Sequence, residues 1–477
     1  MQYKTPNNRY YRLHHVRPRF KNDVESVLLY MANEVSSLGS LKSNEFKDKL
    51  NLAIKLYPGN YSKKDKTINN WRTEISALFG LIQYDTNKVS RPSEIARILS
   101  EKQDLIEFFR YFLYYFQYPG GHLKPQETLN LIKSGIKFHP TRYLLDVLLV
   151  GRDYVNGNKF GLTKAEATHC IFNDLAVTKD NRPAIDTVKL IIHNRDSGLE
   201  YDGAGDITRY AGDILDYMEL ADLVRLRPDW KFYPNMHHLE VLRSFIDQNS
   251  FFPPYENLYN KNDITIADIT ENQSEWFNYI NANLNSTIFK ADIFSILSDE
   301  DNKKELDEKT SFIYDFLNKV RSNQESKNGI KTKEIGDVGE AIILEHEKNR
   351  MKSLSRNDLI HLIKKIPETF GMGFDIKSFL GMDNDFSNIH IEVKTTISRG
   401  KLSSQSFHMT PNEWNSAESY KDMYFIYRLM LSTNNISLFV IRNPVGAYKT
   451  DLLQMLPRNG ADIKYNDKSG EWKELLV

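Results

Sequence analysis

The sequence predicts an α+β chain of several domains, helical through most of its front half and closing on a C-terminal α/β core with a mixed sheet. Three observations carry that expectation. Apolar residues recur at helical spacing through much of the first half. Runs of β-branched and aromatic residues crowd the last quarter. Between these regions, Ser322 to Lys333 (SNQESKNGIKTK) is polar throughout, as a linker would be. A chain of 477 residues is long enough for several cores.

Composition narrows the function classes. Lys plus Arg and Asp plus Glu both number 63, so the global charge says nothing of a polyanionic partner. Its distribution says more. Met1 to Arg72 holds 14 Lys/Arg against 6 Asp/Glu, whereas Asp299 to Lys309 is acidic. The single cysteine, Cys170, excludes an internal disulfide and a cysteine-rich zinc site, and suits a reducing, cytoplasmic setting. The opening MQYKTPNNRYY lacks the apolar stretch of a signal peptide. No run approaches the ~18 apolar residues of a membrane span.

Taken in order, residues 1 to about 20 form a basic, aromatic arm, either packed on a surface or touching phosphates. Asp23 to Leu38, Ser43 to Leu56 and Thr67 to Phe79 have helical period. Gly80 to Asp85 then reads as a short strand, and Ser90-Arg91-Pro92-Ser93 opens the next helix. Three helices and a short ribbon are the order of a winged helix. In that fold Lys63, Lys64, Lys66 and Arg72 lead into the helix that meets DNA. The alternative is a helical bundle with solvated lysines. The first unit is set at 1–105.

Asp104 to Phe116 (FFRYFLYYF at its centre) reads as core. Ser134 to Pro140 suggests a strand running into a helix with Pro at its start, and Asn156-Gly157 a hairpin turn. Thr163-Lys164-Ala165-Glu166 is a capping box. After a helix at Asp206 to Leu220, Ala221 to Tyr233 predicts two short strands around Pro228-Asp229. This second wing offers Arg225, Arg227 and Lys231 to phosphates, in a second winged-helix-like DNA-recognition region at 106–297. Cys170 reads as core rather than nucleophile, because no activating cation stands near it. His237-His238 has no neighbouring acid or thiol in sequence and reads as packing. A helical linker follows at 298–334, and a last domain fills 335–477.

That domain carries the chemistry. Glu340 lies on its first helix, Glu340 to Lys348, with Asp358 to Ile366 a second helix or an extension. Asp375 follows a Gly-x-Gly turn. Ile389-His390-Ile391-Glu392-Val393-Lys394 is a strand whose period of two puts Glu392 and Lys394 on one face and Val393 on the other. Asp375 joins that face if the two segments pair. Lys401 to Met409 is a third strand, Thr410-Pro411-Asn412-Glu413 caps a helix, and Met423 to Met430 and Ile436 to Ile441 are buried strands. Gln405 and His408 are candidates for touching phosphate, His408 equally for structure, and Trp414 reads as core.

These residues resemble the PD-(D/E)xK nuclease superfamily and, from Gly336 to about Pro444, the NO VEIN C-terminal domain family. The matching blocks are Gly336-Asp337-Val338-Gly339-Glu340, Gly373-Phe374-Asp375-Ile376, Ile391-Glu392-Val393-Lys394, Phe407 to Trp414 and Tyr424 to Arg428. Phe374 stands where the superfamily name has proline. More loosely, Tyr115 to Pro119, Ile136 to Pro140 and Gly161 to Glu166 resemble the recognition part of AlwI-like type IIS restriction endonucleases.

The resemblance implies a restriction-endonuclease-like core. Asp375, Glu392 and the carbonyl of Val393 would bind Mg2+, Lys394 would stabilise charge at the phosphorus, and Glu340 would bind a second ion or a water. It implies a sequence-specific, type II restriction endonuclease acting on double-stranded DNA as a homodimer, either preformed or assembled on the duplex. Two alternatives stand beside it: a modification-dependent DNA nuclease, and a catalytically inactive DNA-binding protein.

Overall fold

The computed structural model describes residues 2–14, 24–57, 60, 63–84, 88–157, 160–282, 289–290, 335–381, 386–399, 406–432, 436–457 and 460–476. The expected linker at 298–334 and Gln405 lie outside them. The chain divides into two compact units. The first comprises Met1–Phe20, Leu38–Ala96 and Ile106–Lys290, and the second Lys21–Ser37, Arg97–Leu105 and Ala291–Val477.

In the first unit, strand β1 (Leu41–Lys42) precedes helices Ser43–Leu56 and Asp65–Leu78. Strands β2 (Ile82–Tyr84) and β3 (Val89–Pro92) follow. They form a three-stranded antiparallel sheet in the order β1-β3-β2, with Ile82 opposite Pro92. Pro92 therefore ends a strand instead of opening the next helix. Ser93 takes the capping role, its hydroxyl accepting the N–H of Ala96 at 3.2 Å. The Leu105–Tyr115 helix buries its rings as its sequence requires. Phe109 stacks on Tyr217 at 5.6 Å between ring centroids, and both rings meet Phe79.

Further along, Pro140–Tyr154 is a helix with Pro at its first turn, but Ser134 to His139 forms no strand and makes only an isolated bridge, Phe138 to Tyr118. Asn156-Gly157 closes the helix end instead of a hairpin: the N–H groups of Asn156 and Gly157 donate back to Asp153 and Arg152. The Thr163–Glu166 capping box is formed, and leads through Lys164–Ala167 into a π-helical turn, Thr168–Phe172. Cys170 on that turn is fully buried, and burial pushes its thiol up to about 12, so it is no nucleophile. Helix Gly205–Leu220 then runs into the antiparallel pair β4 (Val224–Leu226) and β5 (Phe232–Pro234).

The second unit centres on a six-stranded mixed sheet. Its strands are β6 (Lys364–Lys365), β7 (Ile376–Phe379), β8 (Asn388–Ser398), β10 (Tyr424–Ser432), β11 (Ile436–Arg442) and β14 (Glu471–Lys473), in the spatial order β14-β11-β10-β8-β7-β6. Only β8 and β10 run parallel. One expectation is corrected: Asp358 to Ile366 is a short 3-10 turn and the edge strand β6, not a helix. The third expected strand is present as β9 (Ser406–Met409), and it joins β12 (Gln454–Pro457) and β13 (Ala461–Lys464) in a separate sheet. His408 on β9 is bonded to Asp462 at 2.8 Å, which accounts for it structurally.

Two front-half segments belong to this second unit, although the sequence placed both in the first 105 residues. The helix Val24–Leu38 buries Val27, Leu28, Met31, Ala32 and Val35. Its buried polar groups are met by the C-terminal sheets. Asn33 donates to Ser406, Glu34 pairs with Lys464, and Glu25 accepts from Ser398. Gln103 donates to the carbonyl of Ser406 at 3.0 Å, and its own amide oxygen accepts from Thr396 and Arg428. Helical period revealed an apolar face here but not the surface that would cover it.

Candidate functional site

The site grows from a strand pairing. Strand β7 lies antiparallel to β8, with Ile376 opposite Ile391. The residue before β7, Asp375, donates its N–H to the carbonyl of Ile391 at 2.9 Å. Its carboxylate accepts the N–H of Val393 at 2.8 Å. Asp375 is thereby fixed beside the Glu392-Val393-Lys394 run, while the Val393 side chain turns away and is buried.

Two glycines make this approach possible. Gly373 has φ +67°, and a Cβ there would lie 2.6 Å from the carbonyl of Asn412, so the turn into Asp375 needs glycine. Gly339 lets the Ile335–Ser353 helix close on β8: a Cβ on it would meet the Thr395 hydroxyl at 1.8 Å. The neighbouring Glu340 is 8% exposed, and its charge is felt at Asp375.

Lys394 lies between two carboxylates. Its ammonium is 2.8 Å from Glu392 and 2.7 Å from Glu413. Burial alone would depress the lysine pKa, but these two anions outweigh it and the ammonium is held charged. For Glu413 also burial is outweighed, by Lys394, and its carboxyl sits below its ordinary value. Glu392 goes the other way. Burial raises it well above the carboxylate range, Lys394 pulls it back, and Glu413 and Asp375 add to the rise. Asp375 reaches about 7, through burial and then the charge of Glu340, against the Val393 N–H and Lys394.

Around this centre, Lys365 on β6 binds Glu340 at 2.6 Å and Asp337 at 2.9 Å. The fully buried Arg428, opposite Lys394 on β10, donates to the Lys394 carbonyl at 3.0 Å. Tyr424 donates to the carbonyl of Gly373 at 2.8 Å.

The donor set suits a hard cation. Asp375 and Glu392 offer carboxylate oxygens, and both are destabilised as anions in the protein alone, which a bound dication relieves. Among the described residues no group of three or more His, Cys, Asp or Glu side chains forms a metal cluster. The groups here that could hold such an ion are the two acids and the Val393 carbonyl, with the remaining positions left to water or phosphate, as magnesium tolerates.

The residues expected to meet a polyanion divide. Lys63, Lys64 and Lys66, at the start of the Asp65–Leu78 helix, are exposed. Arg72 on the same helix is half-buried and donates to Asn51 and Asn69. Arg225 is held inward, 9% exposed and paired with Asp222, which also binds His238 at 2.7 Å. His238 thus has an acid partner that lies sixteen residues away in sequence. Arg227 covers the Tyr233 ring, 4.5 Å from its centroid, and Lys231 lies 3.8 Å from Asp229.

The sequence reading missed Glu413 as a partner of Lys394, had Arg428 only as the end of a matching block, and missed Lys365 and Gln103 altogether. The Thr-Pro-x-Glu cap marked Glu413 as a helix-start residue, and its capping box is formed. Nothing local shows that the same carboxylate reaches across to β8.

The comparisons with known proteins make this a restriction-endonuclease-related chain. Residues 3–277 match the family described as restriction endonuclease BpuJI, N terminal, and the chain belongs to that family. Residues 339–441 match the family described as protein NO VEIN, C-terminal. Among solved structures the chain is similar to the BpuJI endonuclease binding domain, in a complex with pyrene- and phenanthrene-modified DNA. The TM-score is 0.51 at 23% identity, covering 57% of this chain and 98% of that one. No curated protein matched.

Proposed function

We propose that the protein is a Mg2+-dependent DNA endonuclease of the type II restriction kind, reading a duplex with its first unit and cutting with its second. The observation that carries this reading is the placement of Asp375 against the Glu392-Val393-Lys394 strand, with Lys394 held charged between Glu392 and Glu413. Two acids and a lysine on neighbouring strands are the elements of a PD-(D/E)xK site. The family to which residues 3–277 belong, and a solved relative bound to modified DNA, support the DNA substrate.

In this reading Asp375, Glu392 and the Val393 carbonyl would hold a Mg2+ ion. A bound Mg2+ would acidify a water for attack on phosphorus. Lys394 keeps its proton and places positive charge where the phosphorus centre gains negative charge. Glu413 orients that lysine through the second ion pair, and Arg428 fixes the backbone behind it. The exposed lysines before Asp65–Leu78 hold phosphates. The helix, helix and ribbon order there supports a winged-helix reader, and the β4–β5 pair a second one. Cutting both strands takes two active sites or two successive events, and the reading takes the first, a homodimer, preformed or assembled on the duplex.

The test is incubation of plasmid DNA with the full chain and Mg2+, wild type beside Glu392→Ala, on unmodified and on methylated templates. Discrete fragments from wild type alone support the reading. Cleavage confined to methylated templates would move it to a modification-dependent nuclease. Tight binding without cleavage in Mg2+ or Mn2+ would leave only a DNA-binding protein.

A further inference from the structure

The β4–β5 hairpin carries a residue that its turn disfavours. Pro228-Asp229-Trp230 join the strands. Arg227 donates its N–H to the carbonyl of Lys231 at 3.0 Å, and Trp230 donates back to the carbonyl of Arg227 at 2.9 Å. Such a loop is a tight turn followed by a residue in the left-handed region, the place of glycine or asparagine. Pro228 and Asp229 suit the turn. The left-handed position is held by Trp230, at φ +60°, where a bulky side chain is strained. The same indole is 76% exposed, the most of any large hydrophobic side chain among the described residues.

The loop is braced from below. The Tyr233 hydroxyl donates to the Asp229 carboxylate at 2.8 Å, and the N–H of Lys231 donates to the same group at 3.3 Å. Phe232 is fully buried and exchanges both backbone hydrogen bonds with Leu162, at 2.8 and 3.0 Å. Tyr233 lies so close to Gly161 that a Cβ there would come within 2.8 Å of its ring. An exposed tryptophan alone needs no explanation. One that also carries backbone strain, on a loop fixed at its base, is disfavoured twice in the free protein, and strain of this kind gathers where a ligand is gripped. Arg227 and Lys231 flank the loop, and its one acid, Asp229, is engaged by Tyr233 and Lys231. A flat aromatic between two cations matches a base between phosphates.

We propose that Trp230 is the DNA-probing residue of this hairpin: its indole enters a groove of the duplex and wedges against a base step, while Arg227 and Lys231 hold the phosphates on either side. This rests on the reading of the first unit as a duplex reader, and adds to it a side chain that touches bases rather than backbone. Arg225 takes no part, because it is paired inward with Asp222.

The full chain, without divalent ions, is used to enrich duplexes from a pool of randomised oligonucleotides. Binding of the enriched duplex is then measured for wild type, Trp230→Gly, Trp230→Phe and Lys231→Ala. Trp230→Gly should hold or raise the thermal midpoint, since glycine fits the left-handed position. It should weaken binding by about 5- to 150-fold, the range for loss of one aromatic–base contact. Its salt dependence should keep the wild-type slope, whereas Lys231→Ala should shallow it by about 0.9 for the phosphate released. Trp230→Phe should retain most of the affinity. Trp230→Gly that binds as tightly as wild type would overturn the proposal, and so would a loss of affinity that Trp230→Phe shares in full. Should Trp230→Gly lower the thermal midpoint, Trp230→Asn is measured in its place and judged by the same outcomes. Wild type that retains no duplex from the pool would defeat the DNA reading of the first unit itself, and this inference with it.

Discussion

Glu413 joins Lys394 at 2.7 Å while also accepting the N–H of Thr410 at 3.1 Å, so one carboxylate caps a helix and holds the site lysine. Both partners are mostly buried. Stranding a buried charge costs about 3–5 kcal/mol, and because Lys394 keeps Glu392 at 2.8 Å the loss of Glu413 falls at the lower end of that range. Glu413→Ala should lower stability by that order in urea titration. Glu413→Gln, which retains a capping oxygen, should cost less yet still slow DNA cleavage. A Glu413→Gln protein that cuts at the wild-type rate would remove Glu413 from the site.

Lys394→Met should leave DNA affinity nearly unchanged and reduce the cleavage rate by about 100- to 1000-fold, the scale for loss of one transition-state donor. The measurement is single-turnover cleavage beside a binding titration. Equal losses in both would point to a binding role instead.

Asp375 gives a pH test. Its carboxyl is held at about 7 in the folded chain, above the ordinary range. Between the unfolded value and that one, the folded chain keeps a proton the unfolded chain has released. Its contribution therefore favours folding at low pH and is lost as pH rises through about 7. A bound dication competes with that proton. Mg2+ should thus raise the thermal midpoint more at about pH 8 than at about pH 5.5, and Asp375→Asn should abolish the difference. A pH-independent Mg2+ shift would contradict the assignment.

The buried Arg428 depends on Gln103, which lies more than three hundred residues earlier. Gln103→Ala should destabilise the second unit by about 1.5–3 kcal/mol, the range for a lost hydrogen bond to a charged group. For the same reason a fragment of residues 335–477 should fail to fold, lacking Val24–Leu38 and Gln103. A fragment that folds with native-like melting would refute this dependence.

The lysines and arginines of the first unit should separate by experiment. Replacing Lys63, Lys64 and Lys66 with Ala should weaken DNA binding and shallow its salt dependence, by about 0.9 in log–log slope for each phosphate that is no longer neutralised. Arg225→Ala should instead lower stability, because it strips a partner from the buried Asp222. A salt slope altered by Arg225→Ala alone, with stability intact, would reverse these roles.

The parts of the site that the sequence displays are those fixed by local rules. Period two put Glu392 and Lys394 on one face, and Thr410-Pro411-Asn412-Glu413 announced a capped helix that the structure contains. What escaped depends on distant pairing. Nothing in Ser406–Met409 says which sheet it will join. The alternation in Ala221 to Tyr233 located a hairpin but could not show that Arg225 would face Asp222 inward. Lys365 sat in a stretch read as helical, and it lies on a strand paired with β7, from which it reaches Glu340 and Asp337.

Glu34 on the Val24–Leu38 helix and its partner Lys464 are 430 residues apart in the chain. The chain of the first unit is therefore made before the three-stranded sheet that holds Lys464 can receive that helix. The second unit is thus closed by segments synthesised on either side of most of the first.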